Sequence, residues 1–181
     1  LHFSNGVFDV FSNRKYHLNQ LNSNPLIKKE GFKYTQSNPN KISNISLSGI
    51  NVSIDESLYI DALDGNVAIK DTTIKTTQNN GGEITVSGKE IKIEGSSKLI
   101  SQGEQSGGLI QIGGSWQNSN PYIRQAVYTE IGEDVFINAS AKDHGNGGEI
   151  VIWSDIKNPF SSTVVSGTFK VDGGVLSGDG G

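Results

Sequence analysis

A chain of 181 residues can form one domain with a real core, or one stretch of a longer repetitive molecule. Its formal charge of -4, with Lys and Arg scattered, leaves no basic face and no aromatic-plus-basic stripe, so nucleic acid is excluded as an expected partner. Cysteine is absent, which excludes disulfides and thiol chemistry, and 23 glycines against 4 prolines indicate an all-β chain with many tight turns. Methionine is also absent, even at position 1, so any export signal is expected to lie outside this sequence. The longest apolar runs are a few residues, too short to cross a membrane as a helix.

In chain order, residues 1–41 are expected to form an irregular N-terminal segment, a cap or an atypical coil. "HFSNGVFDVF" reads as a strand or hairpin, and the polar stretch after it shows no regular period. From residue 42 the pattern changes. "ISNISLSGINVSIDESLYIDALDG" alternates apolar and polar residues between turns. Glycine pairs then fall at Gly81-Gly82, Gly107-Gly108, Gly147-Gly148 and Gly180-Gly181, spaced 26, 40 and 33 residues apart. The first three introduce alternating runs: "GGEITVSG", "GGLIQIGG" and "GGEIVIWS". Repeats of this length point to stacked supersecondary units.

The unit from Gly81 to Ser106 is the clearest. It contains three short strands whose inward residues are Ile84 and Val86, then Ile91 and Ile93, then Leu99. Three strands per turn, repeated, predict a parallel β-solenoid with three short strands per coil over residues 42–181. The longer unit reads as the same coil with a loop inserted near residues 115–126, and "DIKNPFSS" interrupts the next one similarly. The six paired glycines from Gly81 to Gly148 are assigned a structural role at tight corners.

The chemical motifs are weaker than the repeat. Glu83 and Glu149 recur directly after glycine pairs, which reads as outward turn positions rather than converging catalytic acids. No catalytic residues are therefore assigned. Trp153 beside Asp155 is the sharpest local candidate for a ligand contact, weighed against a tryptophan that finishes a coil with Asp155 in a turn. In the inserted loop, Trp116, Tyr122 and Arg124 are candidate adhesion residues, because aromatics and arginine dominate binding hot spots. The competing reading has the loop covering the coil's side with Trp116 packed inward. Asp172 and Asp179 in "DGGVLSGDGG" are candidate calcium ligands, although only one copy of that glycine-rich stretch occurs. No other cofactor is expected.

Three segments together, "GGLIQIGGSW", "INASAKDHGNGGEIVIWSD" and "VSGTFKVDGGVLSGDGG", resemble the passenger repeats of filamentous-haemagglutinin-like large exoproteins. The similarity covers about Gly81 to Gly181 and is looser from Ile42 to Asn80. "KVDGG" departs from it with Val171-Asp172 where small residues are usual. What the resemblance implies is a right-handed parallel β-helix, a two-partner secretion passenger exported through an outer-membrane transporter to the extracellular cell surface or medium. There it would act as an adhesin-like structural segment contacting a host or neighbouring-cell glycan or protein. It also implies that the coils continue into a longer chain. The alternatives are a β-helix glycan lyase or hydrolase, and a calcium-stabilised surface-layer module.

Overall fold

A computed structural model describes residues 44–54, 57–62, 64–76 and 78–181 in full, with the backbone of four short strands before them. The alternating segments stack as five coils. The first holds β4 (Phe32–Thr35), β5 (Ile45–Ser48) and β6 (Asn51–Ile54), and the second β7 (Ser57–Asp61), β8 (Asn66–Lys70) and β9 (Thr73–Thr76). The third holds β10 (Glu83–Ser87), β11 (Glu90–Glu94) and β12 (Lys98–Ser101), and the fourth β13 (Leu109–Ile112), β14 (Tyr128–Ile131) and β15 (Phe136–Asn138). The fifth holds β16 (Glu149–Ile152), β17 (Ser162–Val165) and β18 (Thr168–Lys170).

Strands in equivalent positions pair in parallel and build three sheets. Sheet B is β4-β7-β10-β13-β16, sheet C is β6-β9-β12-β15-β18, and sheet A carries β5-β8-β11-β14-β17. The chain is therefore a parallel β-helix, the architecture that the repeat predicted. Sheet A extends further at the N-terminal side. β1 (His2–Ser4) pairs in parallel with β5, and β2 (Val7–Val10) and β3 (Arg14–His17) follow antiparallel. β4 lies in the stretch read as irregular, yet Phe32 and Tyr34 fall in register with Leu58 and Ile60.

Register explains the core. Side chains alternate across a strand, so in-register stacking aligns like residues in columns. Sheet B aligns Leu58, Ile84, Ile110 and Ile150. Sheet C aligns Val52, Ile74, Leu99, Ile137 and Phe169. Sheet A aligns Leu47, Ile69, Ile93, Ile131 and Val165. Ile69, Ile74, Ile84, Ile93, Leu99, Ile110 and Ile137 are fully buried. Each contributes about 2 kcal/mol on burial, about twice the whole span of strand propensities, so stacking holds the coils.

The corners differ in chemistry. Between sheets A and C the chain turns through left-handed residues, Gly49, Asp71, Gly95 and Gly167 at φ 65, 48, 62 and 98°. Asp71 tolerates this because its Oδ1 accepts the Ser96 N–H at 3.0 Å. Hydroxyls bracket the turn: Ser97 Oγ donates to Glu94 O at 2.7 Å and accepts from Thr72 N. Between sheets C and B the glycine pairs stack. Of the paired glycines only Gly81 has a left-handed φ, at 66°. Gly107, Gly108, Gly147 and Gly148 serve close approach: a Cβ on Gly148 would stand 2.7 Å from Gly108 N and nearer still to Gly108 O.

Candidate functional site

The third corner, from sheet B to sheet A, is where the chain leaves the coil. In the third coil this connection is only Gly88 and Lys89, whereas in the fourth it runs over 113–127 and in the fifth over 153–161. The two long connections are neighbours in successive coils, and Asp155 N–H donates to Ala126 O at 2.8 Å to tie them together.

The fourth-coil loop is closed at its base, where Ala126 N–H donates to Gly113 O at 2.7 Å. Its tip is a 3₁₀ turn, Trp116–Asn118, in which Gln117 and Asn118 both adopt left-handed φ, 46 and 63°. Each such residue costs roughly 1–2 kcal/mol, and backbone strain of this kind gathers at functional surfaces. Ser115 Oγ accepts the Asn120 N–H at 2.9 Å and Asn120 Oδ1 accepts that of Tyr122 at 3.0 Å, which fixes the rest of the loop. Arg124 reaches back two coils, Nη2 standing 2.6 Å from Asp64 Oδ1.

The structure brings Trp116 and Trp153 together, ring centroids 5.5 Å apart and tilted 51°. Trp116 packs on Trp153 beside Val151, an outward-facing residue that is nonetheless buried, and still leaves 54% of its surface exposed. Tyr122 is 94% exposed. In the fifth-coil loop, Ile156 and Phe160 are exposed as well. Sequence reasoning marked that segment as an insertion but overlooked its Phe160, which a search for apolar residues inside polar insertions would have found.

Asp155 does what a turn residue does. Its Oδ1 accepts the Lys157 N–H at 3.0 Å, and its carbonyl accepts from Asn158 N and Ser161 Oγ. Asp172 and Asp179 engage through their main chains: Asp172 N–H donates to Ser140 Oγ and Asp179 N–H to Asn146 Oδ1. Among the described residues no three acids or histidines gather as metal ligands would. Both residues are exposed.

A second polar cluster was missed. Tyr59, Thr85, Gln111 and Val151 form one outward column of sheet B, and Glu83 stands in the column beside it. Tyr59 Oη and Thr85 Oγ1, the latter at 2.8 Å, donate to the two Glu83 carboxylate oxygens, and Gln111 Nε2 lies 3.4 Å from one of them. Burial, then the Glu83 hydrogen bond and charge, push the Tyr59 phenol up to about 12. Both oxygens of Glu83 are occupied, which describes a latch between coils. Glu83 and Glu149 begin strands rather than occupy turns, with Leu109 between them in the same outward column.

On sheet A the outer face is a charged ladder. Lys92 bridges Glu94 at 3.1 Å and Glu130 at 3.8 Å, and Lys70 meets Glu94 at 3.5 Å. The hydrogen bond from Lys92 holds the Glu94 carboxyl below its usual range. Such exposed pairs add little stability and present no apolar contact.

At the C-terminal end of the stack the core opens. A cavity of about 480 Å³ is lined by Trp116, Ile150, Ile152, Trp153, Val165 and Phe169, the last members of the inward columns among them.

The class defined by these observations is a three-sheet parallel β-helix with loops displayed at one corner. No protein-family model and no curated protein matches this chain.

Proposed function

We propose that this chain is a non-catalytic structural and adhesive segment of a large secreted or cell-surface exoprotein, haemagglutinin-like, delivered through an outer-membrane transporter. The observation that carries the adhesive part is the pair of loops on successive coils. They leave the same corner and present Trp116, Tyr122, Ile156 and Phe160 to solvent on a rigid stack. Exposed aromatics on a fixed scaffold suit recognition of a glycan or protein on a host or neighbouring cell, because little conformational freedom is lost on contact. The open core at the end of the stack supports the structural part. Val165 and Phe169 remain 45% and 38% exposed at positions that the second, third and fourth coils bury, so a further coil would complete them.

Binding of the fluorescent chain to cultured epithelial and bacterial cells tests the reading, with Trp116→Ala/Tyr122→Ala/Phe160→Ala as the comparison. Tyr122 and Phe160 lie clear of the buried core and Trp116 packs on its rim against Trp153, so the triple variant is expected to stay folded with a somewhat lowered melting midpoint, checked beside the binding measurement. Saturable binding that falls at least about tenfold in the variant is expected, since one aromatic hot spot alone carries 2 kcal/mol or more. Equal binding by both proteins, or none by either, would overturn the adhesive assignment.

A further inference from the structure

The geometry points to Asn80 as a site of spontaneous covalent modification, deamidation through a succinimide, from which the fold protects the equivalent Asn146. Asn80-Gly81 and Asn146-Gly147 occupy the same register, each directly before a glycine pair at the corner between sheets C and B. An asparagine followed by glycine is prone to this reaction because no Cβ hinders the next backbone nitrogen.

The chemistry needs only water. The Gly81 amide nitrogen loses its proton to solvent base and attacks Asn80 Cγ. The new N–Cγ bond closes an imide ring, the Cγ–Nδ2 bond breaks, and ammonia leaves. One water then opens the ring at either carbonyl, giving aspartate or isoaspartate.

The two sites differ in how their reacting atoms are held. At Asn146 both are tied to one residue: Oδ1 accepts the Asp179 N–H at 3.0 Å, and Gly147 N–H donates to Asp179 O at 2.8 Å. The Asn146 carbonyl also accepts the Gly107 N–H at 2.9 Å. Asn80 is exposed, and its side-chain amide meets no hydrogen-bond partner among the described residues. Its carbonyl accepts from Ser106 Oγ at 2.9 Å, while the attacking Gly81 N–H is held only by a turn bond to Gln78 O at 3.2 Å. Reaction at Asn146 must release one more hydrogen bond, and shorter ones, which slows it by about 5- to 30-fold.

The consequence is structural. Isoaspartate adds a methylene to the main chain beside Gly81, where a Cβ would already overlap Gly108 of the next coil. Ageing therefore loosens the stack between the third and fourth coils.

The test is peptide-mapping mass spectrometry of the folded chain held at mildly alkaline pH and 37 °C. A urea-unfolded sample serves as the reference, and Asn80→Ser is aged in parallel. Unfolded chain is expected to modify both sites at similar rates. Folded chain is expected to accumulate aspartate and isoaspartate at Asn80, with Asn146 lagging by the factor above. The wild-type melting midpoint should fall with age while that of Asn80→Ser holds. Modification of Asn146 as fast as Asn80, or silence at both sites in folded chain whose unfolded form reacts, would overturn the assignment.

Discussion

Replacing the stacked glycines tests the coil-stacking argument most directly, because the structure grades the outcome. Gly180→Ala places its Cβ 3.6 Å from the nearest atom, ordinary contact, and should change stability by less than about 0.5 kcal/mol. Gly49→Ala meets open space but must hold φ 65°, which costs roughly 1–2 kcal/mol. Gly148→Ala has a permissive φ and no room: its Cβ would stand 2.7 Å from Gly108 N and 2.8 Å from Ala139 O, with Gly108 O closer still. These neighbours are backbone, so the coils themselves must separate. The bonds at risk are Gly148 N–H to Ala139 O at 2.8 Å and Glu149 N–H to Gly108 O at 2.9 Å. Losing both, with their groups left buried, costs about 3–6 kcal/mol, a large share of a typical domain's stability. Urea melts followed by circular dichroism rank the three variants. Amide hydrogen exchange locates the damage, since a solenoid can open coil by coil. A Gly148→Ala protein as stable as Gly180→Ala would refute the claim that these glycines exist for close coil approach.

Two further predictions concern core and latch. Ile110→Ala removes a fully buried side chain from the sheet B column and should cost about 2–5 kcal/mol by urea denaturation; a loss under about 0.5 kcal/mol would contradict the column packing. Tyr59, raised from 10.0 to about 12, stabilises the fold below pH 10 and loses that contribution as pH rises to 12; screening at its partly exposed hydroxyl reduces the nominal 2–3 kcal/mol to about 1. Melts across that window should show wild type losing more stability than Tyr59→Phe, and parallel curves would refute the latch.

Much of the fold was legible because its repeat is written in side chains of fixed period. Ile84 and Val86, Ile91 and Ile93, and Leu99 all turn inward as alternation requires. β4 escaped notice because two alternating aromatics in a polar stretch give too few periods to separate from chance, although both fall in register with Leu58 and Ile60 of β7. The site was less legible, since its parts meet only through register. Trp116 and Trp153 lie far apart in sequence, and nothing local reveals that one coil's loop covers the next coil's strand end. The Tyr59, Glu83, Thr85 and Gln111 cluster was hidden similarly, being a column rather than a motif. The glycine pairs were visible, while their reason, absence of space rather than left-handed φ, needed the neighbouring coils.

The three corners also dictate where such a stack can carry function. Between sheets C and B, successive glycines leave no room for a Cβ, and Gly107 N–H, Gly108 N–H and Leu109 N–H are each committed to carbonyls at 2.9, 2.8 and 2.9 Å. Between sheets A and C, left-handed residues and bracketing hydroxyls fix the turn. At the corner from B to A the fourth-coil loop closes at its base through Ala126 N–H and Gly113 O, and the backbone bonds beyond that point, such as Asn118 N–H to Ser115 O and Ile123 N–H to Asn120 O, stay within the loop, so that added length does not touch the ladder. Loop closure grows slowly, about 0.6 kcal/mol for each doubling of length. A short Gly/Ser insertion after Asn118 should therefore lower stability by less than about 1 kcal/mol. The same insertion between Gly107 and Gly108 must break those three main-chain bonds and should cost at least about 3 kcal/mol. Thermal melts of the two insertion variants decide between the corners. If both fall equally, the B-to-A corner has no special tolerance, and the placement of its exposed aromatics there loses its physical explanation.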